Sequence, residues 1–168
     1  MAKPNSWWIV ASKKDPLHGW HWDTYFNDPH DPDNRVDWGG PDWIRSAVSF
    51  ARIQDMRKGD VVVAYQAGEG VLGLATLGSD GYEHPESGKY DSFDLAEHPT
   101  IRLRMPVPYE VIRDAPEARE NIEFVRIAKQ GTVYGLTAQG FIDIVELMKQ
   151  FNPSQADQIN AFIAGRAD

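Results

Sequence analysis

The sequence predicts an α+β fold with a small, strongly curved mixed sheet flanked by helices. Three observations support this prediction: short apolar runs typical of strands, glycine turns between them, and amphipathic helical segments within 168 residues. The first run, WWIVAS at 7–12, has bulky and β-branched side chains and predicts a buried first strand. The clearest hairpin has strands at 61–66 and 71–77 around a glycine turn at 68–70.

A helix is predicted from about 42 to 56, where apolar residues recur at helical spacing. Pro41 suits the first helical position and Gly40 suits the cap before it. The expected core-facing residues are Ile44, Ala47, Val48 and Ala51. The expected residues of a second stripe are Arg45, Ser49 and Arg52. This phase places two arginines on one exposed side of the helix.

A further strand is predicted at 101–107, after an irregular glycine-rich segment at 78–99. The strand alternates apolar and basic side chains, which predicts one buried face and one basic face. The apolar residues are Ile101, Leu103, Met105 and Val107, and the basic ones are Arg102 and Arg104. Pro106 and Pro108 place the far end of this strand at a sheet edge.

The last third of the chain predicts a short helix with a strand or turn at 120–130, a strand at 132–136, and two closing helices. Thr137 is the expected N-cap of the first closing helix, which ends at Asn152-Pro153. Its apolar stripe is Phe141, Ile144, Val145 and Met148. Ser154 and Asp157 resemble a capping box for a last helix at 154–164.

Length and composition predict one domain over 1–168, with its core at 7–150. No run approaches the roughly 18 apolar residues of a membrane span, and the first residues lack the apolar core of a secretory signal. The chain has no cysteine, which fits a reducing compartment. We therefore expect a cytoplasmic monomer without membrane contact, cofactor or metal.

The most unusual stretch is the acidic aromatic segment, residues 18–43, which has no helical or strand period. It holds four of the six tryptophans, three of the five histidines, and six aspartates against Arg35 alone. The segment thus carries −5 of the net charge of −8, and the other 142 residues carry −3. Such a charge argues against a protein that coats nucleic acid non-specifically. A loop this long with this aromatic content favours a functional role.

The order of elements resembles the EVE domain family. The specific part is WIRSAVSFARIQDMRKGDVVVAYQAGEGVLGLATL, with Trp43 and Arg45 opening a helix, a Met-Arg-Lys-Gly-Asp turn, and a strand ending in Tyr65. WWIVAS is similar to the family's first strand, and residues 120–148 resemble its C-terminal module. The resemblance covers most of 7–150. Where the family commonly shows Trp-x-Gly-Val-Arg-Asn, this chain has Trp-Ile-Arg-Ser, and its loop is longer and more acidic.

The resemblance implies a PUA-like pseudo-barrel, similar to YTH domains, that recognises a modified base in DNA or RNA. The base would lie in an aromatic pocket between the first strand, the following loop and the first long helix. The residues carried over from the family are Ser12, Trp38, Trp43, Arg45 and Tyr65. The full set of expected ligand-binding residues is Ser12, Trp22, Trp38, Gly39, Trp43, Ser46 and Tyr65. The expected contacts to the nucleic-acid backbone are Lys13, Lys14, Arg45, Arg52, Arg57 and Lys58.

Elementary chemistry supports such a pocket independently of the family. Stacking a base on an aromatic face contributes about 1–3 kcal/mol and tolerates the identity of the base. Selectivity then requires groups that bind its edge, for which Ser12, Ser46 and the backbone at Gly39 are available. The structural alternative is that Trp7, Trp8 and Tyr65 are core residues.

Two enzyme hypotheses are the alternatives to a binding module. A divalent metal site would draw on Asp15, His18, His21, Asp23, Asp28, His30, Asp31 and Asp33. No helix presents two histidines one turn apart, as hydrolytic zinc sites do. A small ASCH-like hydrolase would use Lys13 and Thr24 with an acid. The sequence favours a module without catalytic residues, and it leaves DNA, RNA and a free nucleotide open as ligands.

Overall fold

Two β-sheets organise the computed structural model, which describes residues 6–12, 21–27, 38–39, 47–85, 88–126 and 132–165. The strands of these ranges are β1 (Ser6–Ala11), β2 (Trp38–Gly39), β3 (Val61–Gln66), β4 (Gly70–Thr76), β5 (Tyr82–Glu83), β6 (Tyr90–Phe93), β7 (Ile101–Val107) and β8 (Val133–Leu136). The helices are α1 (Trp22–Asn27), α2 (Ala47–Gln54), α3 (Tyr109–Asp114), α4 (Pro116–Asn121), α5 (Glu123–Arg126), α6 (Ala138–Phe151) and α7 (Ala156–Ala164). A 3₁₀ turn at Pro153–Gln155 joins the last two helices.

The larger sheet has five strands in the order β7–β4–β3–β1–β8. Its one parallel pair is β1 with β3, in register from Ser6 opposite Val61 to Ala11 opposite Gln66. The other neighbours are antiparallel, and β2, β6 and β5 form a second, three-stranded sheet. The predicted α+β class is confirmed. The five-stranded sheet is not a closed barrel, because β7 and β8 are its edges within the described residues.

Each face of the larger sheet covers its own hydrophobic core, because successive strand residues point to opposite faces. We call the side packed by α3 to α7 the C-terminal core; it includes Trp8, Tyr65, Leu103, Ile112, Phe124, Tyr134, Ile144 and Met148. We call the other side the N-terminal core; it includes Trp7, Ile9, Trp22, Tyr25, Ile53, Leu72, Phe93 and Val133. All six residues of β3 are buried, which explains its continuous apolar sequence.

Several sequence predictions are confirmed. The first strand, the hairpin and the strand at 101–107 form within one residue of the expected positions. Thr137 caps α6, since its hydroxyl accepts a hydrogen bond from the Gly140 N–H at 3.0 Å. Trp7 and Trp8 are core residues, with exposed fractions of 5% and 0%.

The predicted phase of α2 was wrong. Ser49 is buried and Ala51 is exposed, so the described residues of the stripe assigned to solvent, Ser49 and Arg52, face inward. The cause is Arg52, whose Nη1 donates to the Val133 carbonyl at 2.6 Å and whose Nη2 donates to Glu123 at 2.7 Å. An arginine that binds the edge of β8 turns its side of the helix toward the protein.

Three further local predictions were wrong. Met105 is 57% exposed, because a register shift between β4 and β7 breaks the alternation of the strand. Ser154 lies inside the 3₁₀ turn, and α7 begins after Gln155 without a side-chain cap. The segment at 18–43 contains the short helix α1, whose six residues are too few to show a period.

Candidate functional site

The candidate site lies where the carboxyl ends of the two parallel strands meet. β1 and β3 end side by side at Ala11 and Gln66, and the Ala67 N–H donates to the Ala11 carbonyl at 2.8 Å. Ser12 follows β1 directly and is partly exposed. In open α/β sheets, ligands bind outside the carboxyl ends of the strands. By analogy, the carboxyl end of the parallel β1–β3 pair is the candidate binding edge of this mixed sheet.

Gln66 joins α1 to this edge. Its side chain is 1% exposed, and its Oε1 accepts the N–H of Trp22, the first residue of α1, at 2.9 Å. The first N–H groups of a helix have no partner inside the helix, so Gln66 satisfies one of them from a distant strand. Sequence analysis missed this residue, although a polar side chain that ends the buried run VVVAY is a usable signal.

A chain of four polar side chains extends from this junction across α1. His21 contacts Glu69 through Nε2, and the Asp23 N–H donates to His21 Nδ1 at 3.0 Å. An Nδ1 that accepts leaves Nε2 as the protonated nitrogen, which donates to the Glu69 carboxylate. Arg102 then binds Asp23 through two bonds, Nε to Oδ1 at 2.6 Å and Nη2 to Oδ2 at 3.1 Å. We call Glu69, His21, Asp23 and Arg102 the α1 bridge.

The bridge leaves His21 no free ring nitrogen to take a proton from a substrate. His21 and Asp23 were two of the proposed metal ligands, and the structure pairs them with Glu69 and Arg102. Within the described residues, there is no group of three or more side chains that could hold a metal ion. The other six proposed ligands lie outside the described residues.

Two predicted pocket residues lie in different cores. Trp22 is 0% exposed in the N-terminal core, where Tyr25 and Phe26 lie at centroid distances of 6.1 and 6.0 Å. Tyr65 is 6% exposed in the C-terminal core, where the Trp8 and Phe124 rings lie at centroid distances of 5.4 and 4.7 Å. Because the sheet separates the two rings, they do not form one wall.

The ionisation of the buried tyrosines gives a testable consequence. Burial raises the pKa of Tyr65 to about 12, with Tyr109 and Glu110 adding to the rise, and burial also raises the pKa of Tyr25. Stability from neutral phenols is fully present below their ordinary pKa of about 10 and is lost as the pH rises through the folded values. We expect alkaline unfolding to begin above about pH 10, together with tyrosinate absorbance. Tyr65→Phe should raise the pH midpoint of alkaline unfolding, because phenylalanine has no phenol to ionise. An unchanged pH midpoint would contradict this account.

The predicted backbone contacts separate into two places. Arg57 and Lys58 are exposed at the start of β3, so the length of that strand, roughly 17 Å, separates them from Ser12. The Arg57 guanidinium donates to the carbonyls of Gln54, the last residue of α2, and of Met56, two residues after it. Arg52 binds Glu123 and lies over the Tyr134 ring at 5.1 Å. In this structure, Arg52 and Arg57 thus have intramolecular roles.

The remaining predicted residues are partly or wholly outside the described ranges. The backbone of Trp38 and Gly39 pairs with Phe93 and Ser92 in the second sheet. Lys13, Lys14, Trp43, Arg45 and Ser46 lie outside the described residues. Within the described ranges, no helix is long and apolar enough to span a bilayer.

The open mixed sheet, its parallel pair and its flanking helices form an α+β fold that solved structures of other proteins share. The sequence matches no family model and no curated protein. The structure is similar to Rpa0253 from Rhodopseudomonas palustris, with a TM-score of 0.66 and 20% identity over 87% of this chain and 94% of the other. It is also similar to human THYN1 in complex with DNA containing 5-methylcytosine, with a TM-score of 0.66 and 12% identity over 86% and 98%.

A separate structure of the DUF55 domain of human thymocyte nuclear protein 1 has a TM-score of 0.65 and 15% identity over 86% of this chain and 98% of its own. Identities of 12–20% over nearly the whole of each chain are a likeness of fold. The expected EVE and PUA-like fold is confirmed at that level.

Proposed function

We propose that this protein is a nucleic-acid-binding module that recognises a modified base and has no catalysis of its own. The observation that carries the proposal is the shared fold with THYN1, whose structure contains DNA with 5-methylcytosine. The proposed site is the carboxyl edge of β1 and β3, next to Ser12 and to α1. The proposed partner is DNA or RNA with one unpaired or flipped base.

Within this proposal the residues have different tasks. Trp38 and Trp43 stack on the base, while Ser12, Ser46 and the Gly39 backbone bind its edge. Trp22 and Tyr65 support the site from the two cores, because their rings are covered by protein side chains. Lys13, Lys14, Arg45 and the exposed Lys58 are the proposed phosphate contacts.

Charge sets the expected strength of the phosphate contribution. The protein has a net charge of −8, and −5 of it lies in the acidic aromatic segment at 18–43. Few phosphates can be neutralised beside such a segment, so recognition of the base must supply most of the affinity. With two to four phosphate contacts, the affinity for a duplex should fall with salt at a logarithmic slope of about −2 to −4.

The direct test is fluorescence anisotropy at about 0.15 M salt. Short oligonucleotides with one 5-methylcytosine, as duplex DNA, single-stranded DNA and RNA, are compared with unmodified copies and with the free nucleoside. The proposal expects at least about tenfold tighter binding of one modified polymer than of its unmodified copy. Equal affinity for modified and unmodified copies of every polymer would reject it. Binding of the free nucleoside alone would identify a small-molecule site.

We predict that Trp43→Ala abolishes ligand binding while the protein stays folded. Loss of one stacking ring removes about 1–3 kcal/mol, a factor of roughly 5 to 150 in Kd. Anisotropy measures the binding, and circular dichroism with thermal melting measures the fold. Trp20→Ala is the matched control from the same segment and should leave Kd within about threefold. A Trp43→Ala variant that fails to fold would assign Trp43 to the core.

A further inference from the structure

α1 sits between the two parts of the chain that carry most of the proposed recognition residues. Lys13 and Lys14 precede it, and Trp38, Trp43 and Arg45 follow it. A helix of six residues is not stable by itself in water, so contacts with the rest of the fold must hold it in place. The position of α1 therefore fixes the two points, His21 and Asn27, from which the flanking segments continue.

The polar contacts that hold α1 come from two separate parts of the chain and add to the burial of Trp22 and Tyr25. Gln66 binds the Trp22 N–H, Glu69 binds His21, and Arg102 binds Asp23 with both oxygens of the carboxylate. These partners are 44, 48 and 79 residues away in sequence. Because α1 is hydrogen-bonded to the β3–β4 turn on one side and to β7 on the other, these contacts fix its position relative to the sheet.

Arg102 is itself held in a fixed orientation. Its Nη1 donates to the Leu103 carbonyl at 2.6 Å, while its own carbonyl accepts from Gln155 Nε2 at 3.0 Å. All three guanidinium nitrogens thus donate hydrogen bonds, which fixes the plane of the group. The single ammonium of a lysine could not bind both oxygens of Asp23 in this geometry. The bridge is thus anchored in the C-terminal part of the chain.

We infer that the α1 bridge is the positioning device of the proposed base-binding site. Glu69, His21 and Arg102 are positioning residues that set the geometry of the recognition segments without touching the base. The inference rests on the proposed function. Asp23 and Arg102 are each 33% exposed and Glu69 is 46% exposed, and pairs this exposed contribute little to overall stability. Their loss should therefore change recognition far more than melting temperature.

Two variants break the bridge at opposite ends. Arg102→Met removes the bidentate pair, and Glu69→Ala removes the acceptor for His21. Glu69→Gln keeps an oxygen that can accept the same bond, so it should restore the function. Arg113→Met is the matched control, because Arg113 pairs with Asp114 at 3.1 Å on the exposed side of α3.

We expect Arg102→Met and Glu69→Ala to raise the Kd for the 5-methylcytosine oligonucleotide about tenfold, with melting temperatures within about 4 °C of wild type. Amide hydrogen exchange of residues 22–27 should become about tenfold faster in both variants. Glu69→Gln should bind within about threefold of wild type, and Arg113→Met should be unchanged in both measurements.

The outcomes separate the two proposals. If the wild-type protein binds modified and unmodified oligonucleotides equally well, the proposed function is wrong, and the positioning role is wrong as well. If the wild type discriminates and the two bridge variants bind as tightly as it does, only the positioning role fails. Weakened binding that Glu69→Gln does not restore, or unchanged exchange in α1, would also overturn the positioning role.

Discussion

The Gly73→Ala variant is expected to lose about 4 kcal/mol or more of unfolding free energy. A Cβ built at Gly73 in β4 would lie 2.0 Å from the Ile101 carbonyl oxygen and 3.0 Å from Cζ of Phe26. The Phe26 ring can move, but the Ile101 oxygen belongs to the backbone of the neighbouring strand. Alanine must therefore separate β4 from β7 at their register shift. Urea denaturation followed by circular dichroism measures this loss.

Gly135→Ala is the control for this prediction. Gly135 also lies in a strand of the sheet, but among the described residues its built Cβ meets only Trp7 Cζ3 at 3.6 Å, an ordinary contact. The free energy of unfolding of Gly135→Ala should stay within about 1 kcal/mol of wild type. The added Cβ causes no clash, and alanine only lowers the conformational entropy of the unfolded chain. A Gly73→Ala variant that unfolds at the same urea concentration as Gly135→Ala would show that β4 and β7 do not approach so closely.

Asn152→Leu is expected to lose about 3 kcal/mol. Asn152 is 3% exposed, and its side chain accepts from the Met105 N–H at 2.7 Å and donates to the Met105 carbonyl at 3.0 Å. The Gln155 side chain likewise accepts from the Arg104 N–H and donates to the Arg102 carbonyl. The two amides thus take the place of a neighbouring strand on the open edge of β7. Leucine has a similar shape but leaves two backbone groups of Met105 without partners.

Asn152→Asp tests the same geometry through pH. The second oxygen of a carboxylate would face the carbonyls of Met105 and Met148, to which the amide nitrogen donates. Only the protonated acid can donate there, so the fold would raise the pKa of this carboxyl. The variant should be closest to wild type near pH 4 and lose stability as the pH rises toward 7. Asn160→Asp, on the exposed side of α7, is the control. Its free energy of unfolding should stay within about 0.5 kcal/mol of wild type from about pH 4 to pH 7.

The errors of the sequence predictions have identifiable causes. The α2 sequence is compatible with two helical phases, and the contact of Arg52 with the edge of β8 selects the one that buries Ser49. Tyr65 was identified at the correct strand end, but it is 6% exposed and its ring packs against Trp8 and Phe124. Aromatic content indicates that rings are present near the site. It does not distinguish a ring that packs the core from one that contacts a ligand.

The sequence by itself determined the fold class, the strands β1, β3 and β4, and the cap of α6. These features depend on periodicity, turn residues and capping, which involve neighbours a few residues apart. Only the tertiary structure decided that Gln66 and Arg102 hold α1, and that Trp22 and Tyr65 lie in different cores. Hydrogen bonds across 44 and 79 residues form because packing of the sheet brings distant side chains together. No local pattern encodes which of several compatible donors and acceptors will meet.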